Sequence, residues 1–211
     1  MRVLFGISFM ELLYRIPAVF IGFSFHEFAH GLAAYYMGDN TAKDNGRLTI
    51  DPAAHIDPIG LLMLLVFRFG WAKPVPINPA NFKNRKKGIM LVSLAGPMMN
   101  FVLAMIALFI YGFAYTRFNI RNAIFDEIII NIYFINIGLG VFNLIPIPPL
   151  DGSKILAGIL PEKIEYKFYK YEQYSYIILL ILIFTRSIDY ILSPMFFYAQ
   201  KVIYGVVSLF L

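Results

Sequence analysis

The sequence predicts an all-α polytopic membrane protein of about four to six membrane helices, with re-entrant or extended β-like loop segments beside its functional site. Three observations predict it. Of 211 residues, 59% are hydrophobic and only 15% charged, and the mean hydropathy of +0.68 is far above that of a soluble domain of this size. The apolar residues gather in runs long enough to cross a bilayer. Between those runs the chain is rich in Pro, Gly and basic residues, the composition of loops.

Residues 1–15 read as an interfacial helix. Glu11 and Arg15 interrupt the apolar core that a cleavable leader needs, so the segment is expected to be retained. Residues 16–37 form the first span, about 33 Å as a helix, and Gly38-Asp39-Asn40 ends it. Residues 40–87 are an extended or re-entrant region. Within it, Arg47 to Ile50 is a short β-like run, Asp57 to Gly70 is apolar but too short for a span, and the alternating prolines of WAKPVPINPANF (71–82) exclude a helix. Residues 88–115 and 123–145 are the next spans. Residues 146–172 join the proline-rich PIPPLDG to a basic, Tyr-rich loop. Residues 174–211 are apolar again, but Arg186, Asp189 and Pro194 divide them into two short spans, or one span and an interfacial helix. A single membrane-embedded domain, 1–211, accounts for the whole chain.

The net charge of +5 lies mainly in loops. Lys83, Arg85, Lys86 and Lys87 precede one span, and Lys154, Lys163, Lys167 and Lys170 follow the next, so both loops are expected on the cytoplasmic side of a multi-pass plasma-membrane protein. The bilayer is the expected partner and nucleic acid is not.

The chain has no Cys and three His, which leaves only imidazole and carboxylate to bind a metal. His26 and His30 of HEFAH are four residues apart on a segment expected to be helical, so both imidazoles leave one face and can bind one ion. Zinc suits such ligands and keeps a position for water in a catalytic site. Glu27 is placed to take a proton from that water. Two His and a Glu inside a membrane span cost roughly 2.5–3.5 kcal/mol per ionised group on insertion scales, which marks a functional site. For the third ligand, His55 lies in a loop between Pro52 and Pro58, and Asp151 of PPLDG is the better candidate. Asp151 can meet His30 only if residues 57–70 do not cross the bilayer. Glu127, Glu162, Glu165 and Glu172 stay open as alternative carboxylates, as in a prenyl-protein type of membrane zinc protease. A zinc transporter or sensor is a further reading, for which the spans offer few polar residues.

These residues, HEFAH together with Asn143-Leu-Ile-Pro-Ile-Pro-Pro-Leu-Asp151-Gly152, resemble the site-2 protease family of intramembrane zinc metalloproteases, in its small form without a PDZ domain. GRLTIDPAAHIDPIG, FGWAKPVPINPANF and LAGPMMN also look like segments of these forms. The resemblance covers most of the chain and implies a zinc metalloendopeptidase with one Zn2+, held by His26, His30 and Asp151, and with Glu27 as base. It implies a role for Asn143 with substrate or the developing oxyanion, where the residue alone suits interhelical hydrogen bonding equally well. Asn100 is a weaker candidate for supporting the ligands. The expected substrate is a transmembrane helix of a membrane protein, unwound locally, with which the extended segments 47–50 and 71–77 are placed to pair as edge strands, and regulation is expected from a membrane partner or prior trimming.

Overall fold

The computed structural model describes residues 2–3, 7–67, 70–161, 164, 170 and 172–211. The chain starts with a two-residue hairpin, in which β1 (Arg2–Val3) pairs antiparallel with β2 (Ile7–Ser8). Helix α1 follows without a break from Phe9 to Tyr36. Both features differ from the expected division into an interfacial helix 1–15 and a span from 16. Glu11 and Arg15 limit the apolar stretch but not the backbone hydrogen bonding, and Pro17 is accommodated within the helix. Its 28 residues give a rod of about 42 Å.

Past Tyr36 the chain turns at Gly38, whose φ of 103° is open to glycine. Two short helices follow, α2 (Thr41–Asp44) and α3 (Pro52–His55), the latter capped by Asp51 accepting from the Ala53 amide. No ladder forms at 47–50; among the described residues the region's β pairing is a single bridge between Ile56 and Ala72. Helix α4 (Pro58–Phe67) leaves from this bridge. The Lys73 amide donates to the His55 carbonyl at 2.7 Å, and the Trp71 carbonyl lies where a Cβ on Gly60 would be. Both ends of the α4 excursion therefore meet at one place. Ten residues of helix reach only about 15 Å, half the thickness of a hydrocarbon core.

After a 3-10 turn at Pro79–Asn81, α5 (Arg85–Phe118) is capped by Asn84 and α6 (Ala123–Asn143) by Asn122. These two are the described helices that alone have the length and apolar composition to cross a membrane. Helix α7 (Asp151–Ile159) is short, and α8 (Glu172–Phe184) meets α9 (Asp189–Val207) at a bend of 80°. That pair forms a third candidate span if taken as one broken unit. The region expected to divide at Arg186 and Asp189 does so, into two helices that part near Arg186, which has a φ of 57°. Helix α1 misses this composition because His26, Glu27 and His30 interrupt its apolar run.

Helices α1, α5 and α6 pack on one another. Ala104, Ile137, Val141, Ile203 and Val207 join α5, α6 and α9 in one buried cluster, and Ile145, Leu150, Leu179 and Ile188 join the α6–α7 connection to α8. Close approach of α1 to α6 needs Gly22, where a Cβ would sit 2.7 Å from Leu139 Cδ1. Small residues serve this purpose in membranes, where association rests on packing rather than on hydrophobic burial.

Candidate metal centre

The four-residue spacing on α1 brings the imidazoles of His26 and His30 together, with Nε2 atoms 3.0 Å apart and rings nearly perpendicular at 89°. Asp151 arrives from the other side as the first residue of α7. Its Oδ2 is 3.1 Å from each Nε2. Gly152 allows this placement, since a Cβ there would run into the Leu144 and Ile145 carbonyls at the end of α6. All three side chains are buried.

Helix α5 backs the pair along one stripe, at residues 92, 96 and 100. The His30 Nδ1–H donates to the Val92 carbonyl at 2.7 Å, and His26 Nδ1 lies 2.6 Å from Asn100 Oδ1. Between them, a Cβ on Gly96 would stand 2.5 Å from His30 Nε2 and 2.6 Å from His26 Cε1. The carbonyl of Val92 can only accept, so the proton of neutral His30 is on Nδ1 and its Nε2 lone pair faces the centre. His26 is arranged the same way. With both imidazoles neutral, two lone pairs and a carboxylate oxygen converge within 3.1 Å, and a cation placed among them would satisfy all three. The donor set of two imidazoles and one carboxylate is a zinc set, and ligands about 2.0 Å from a tetrahedral ion stand about 3.3 Å apart, close to the observed triangle.

Glu27 completes the group: a carboxylate oxygen of Glu27 and the ring nitrogens of His26 and His30 lie within 4.8 Å of one another. Its Oε2 accepts the Val75 amide at 2.8 Å. The segment carrying Val75 is held at several points. Arg47 Nη2 donates to the carbonyls of Lys73 and Pro74, and Asp39 accepts from the Asn78 amide and from Asn81 Nδ2. Burial would push the Asp39 carboxyl up, but the Thr41 hydroxyl, the Asn78 amide, the Asn81 side chain and the Thr41 amide hold it below its usual value. The segment is short of strand donors. The Lys73 and Val75 amides are engaged, and Pro74 and Pro76 have none.

A cavity of about 280 Å³ opens at this group, with Phe23, Trp71, Leu139 and Leu179 among its apolar lining residues. Asn143 and Lys154 also line it. Asn143 is half-buried, and its Nδ2 donates to the Leu139 carbonyl at 3.0 Å, so its second N–H is the donor left for a ligand. Lys154 stands one turn beyond Asp151, its Nζ 3.9 Å from Asp151 Oδ1. His55 is elsewhere: it is fully buried and its Nε2–H donates to the Thr49 carbonyl at 2.6 Å. Of the alternative carboxylates, Glu127 and Glu172 do not line the cavity, and Glu162 and Glu165 lie outside the described residues. Sequence reasoning missed the Val92 carbonyl, the Val75 amide, Asp39 and Lys154. The first two are backbone groups, which no residue type announces.

Comparison with known proteins agrees with this chemistry. The model of peptidase family M50 matches residues 114–185. YwhC of Bacillus subtilis, named as a zinc metalloprotease, is 38% identical over 186 residues, which cover 86% of this chain and 85% of YwhC. Rip2 of Mycolicibacterium smegmatis, named likewise, is 31% identical over 170 residues, 78% of this chain and 64% of Rip2. Zinc metalloprotease MJ0392 of Methanocaldococcus jannaschii is 32% identical over 81 residues, 38% of this chain and 22% of its own length. No solved structure matches the chain. With a relative this similar along most of its length, apolar helices fit for a bilayer and a zinc donor set at their centre, the chain belongs to peptidase family M50, the site-2 protease family of membrane zinc metalloendopeptidases.

Proposed function

We propose that the protein hydrolyses peptide bonds in or near the transmembrane segments of other membrane proteins, with His26, His30 and Asp151 holding one zinc ion and Glu27 as general base and acid. The observation that carries this reading is the convergence of His26 Nε2, His30 Nε2 and Asp151 Oδ2 within 3.1 Å. Zinc bound there supplies a Lewis acid that polarises the scissile carbonyl and makes a water more acidic. Glu27 takes a proton from the attacking water and returns it to the departing amine. The Val75 amide fixes one Glu27 oxygen and leaves the other for that water. The free N–H of Asn143 stabilises the oxyanion as it forms. The apolar cavity walls receive a side chain of a membrane segment, whose backbone must first unwind to reach the centre. Because 71–77 has few free amides, a substrate strand laid along it bonds chiefly to its carbonyls.

Burial of the centre between α1, α5 and α7 supports a reaction at membrane depth, and the paired ends of the α4 excursion support a re-entrant segment there. The basic residues before α5 and after α6 support a multi-pass plasma-membrane protein with the site toward the cytoplasmic side. The test is Glu27→Gln in the full chain. Zinc content should be kept and cleavage of single-span membrane proteins should fall by about 10²–10⁴-fold, so that substrates accumulate in membranes carrying the variant. Cleavage at the wild-type rate would remove Glu27 from the reaction.

A further inference from the structure

Asn136 touches neither imidazole and is not among the residues lining the cavity, yet it is a fully buried amide in the middle of α6. We propose that Asn136 is a positioning residue that, through Asn100, holds His26 in the tautomer able to bind zinc. The proposal rests on the assignment of His26 as a ligand.

The orientation of each amide follows from the ends of the chain of hydrogen bonds. Asn136 Nδ2 donates to the Ile132 carbonyl at 2.8 Å, an acceptor only, so Asn136 Oδ1 faces away from it toward Asn100. Asn100 Nδ2 donates there at 2.9 Å, and to the Gly22 carbonyl at 3.1 Å. Asn100 Oδ1 is thereby turned to His26 Nδ1, at 2.6 Å. That nitrogen must carry the ring proton, which leaves Nε2 with the lone pair a metal needs. If the Asn100 amide flipped, its oxygen would face two acceptors, Gly22 O and Asn136 Oδ1, and its NH2 would meet Nδ1. His26 would then carry its proton on Nε2, aimed at the metal position. Asn136 supplies one of the two acceptors that forbid this. His30 is controlled separately, by the Val92 carbonyl, and His55 bears its proton on Nε2 toward Thr49.

Three histidines make the tautomers readable by 15N NMR of the histidine-labelled full chain in a nanodisc, treated with chelator and then titrated with zinc. The wild type should show His26 and His30 protonated on Nδ1 and His55 on Nε2. Asn136→Leu should bring His26 into a mixture of tautomers, leave His30 unchanged and weaken zinc binding by about 10–100-fold. Asn136→Asp keeps an oxygen acceptor facing Asn100 whether ionised or not, and should keep the wild-type tautomer and affinity. His26 protonated on Nε2 in the wild type overturns the proposal without any variant. So does unaltered His26 and zinc affinity in Asn136→Leu, or a loss in Asn136→Asp as large as that in Asn136→Leu. Neither readout involves a substrate, so a protein that binds zinc through a locked His26 but cleaves nothing would sink the protease reading and leave this one standing.

Discussion

Gly96→Ala adds one methyl group against both imidazoles. That Cβ would lie 2.5 Å from His30 Nε2 and 2.6 Å from His26 Cε1, where ordinary contact begins at 3.4 Å, so one ring or both must retreat by close to an ångström. They have little room to do so. Val92 O and Asn100 Oδ1 hold the far sides of the rings at 2.7 and 2.6 Å, and a retreat stretches these bonds, each worth about 0.5–1.5 kcal/mol. Metal–nitrogen bonds tolerate only about 0.2 Å, so the ligand triangle is lost before the clash is relieved. Zinc affinity should fall by about 100-fold or more, the upper end for disturbed ligand support. Stability of the metal-free protein should change much less, because overpacking at about 1–3 kcal/mol is offset by roughly 1 kcal/mol of helix propensity gained in replacing Gly. The assay is competition with a zinc chelator, alongside thermal unfolding of the metal-free chain. Wild-type zinc affinity in Gly96→Ala would refute the packing of α5 against the imidazoles.

Asp151→Ala should abolish stable zinc binding, whereas His55→Ala should keep zinc and instead lower the melting temperature, as measured by metal analysis and thermal unfolding; the opposite pattern would make His55 the ligand. Asp39 has a lowered pKa, so its contribution to stability is present above its unfolded value of about 3.9 and is lost as pH falls through the folded value. Asp39→Asn should therefore destabilise at neutral pH and lose that deficit below about pH 4, read from denaturation midpoints across pH. With no native Cys, single-cysteine labelling tests topology: Lys83→Cys and Lys154→Cys should react from the cytoplasmic face, and Arg121→Cys from the opposite one.

Much of the centre was legible because its parts are local. The His26–His30 spacing is one turn of helix, and an α-helix brings i and i+4 together whatever surrounds it. The apolar runs 88–115 and 123–145 were legible as helices for a similar reason, since apolar length is a property of composition, and the structure changes only their ends, lengthening the first to Arg85–Phe118 and stopping the second at Asn143. Where hydrogen bonding and composition part company, the reading of boundaries failed. The charges at Glu11 and Arg15 suggested a division that α1 does not make, and the hairpin of Arg2–Val3 with Ile7–Ser8 has no strong turn signal. The β-like run at 47–50 forms no ladder: the Thr49 carbonyl accepts from His55, and the Arg47 side chain rather than the backbone reaches 73–74.

By itself the sequence determined the solvent, the residue types open to a metal and the two motifs that carry the candidate ligands. Lipid demands apolar runs, and a chain without Cys leaves only His and carboxylate for zinc. What only the tertiary structure decided is how those motifs meet. Asp151 is 125 residues from His26, and no local rule brings it there. It arrives because Gly152 lets α7 start against the end of α6, and because the α4 excursion returns to its own starting point at Ile56 and Ala72. The groups that finish the centre, the Val92 carbonyl, the Val75 amide and the space left by Gly96, belong to the backbone. Every residue has a backbone, so their use is decided by position in the packed bundle and leaves no mark in the choice of side chains, except at Gly96, where the mark is the absence of one.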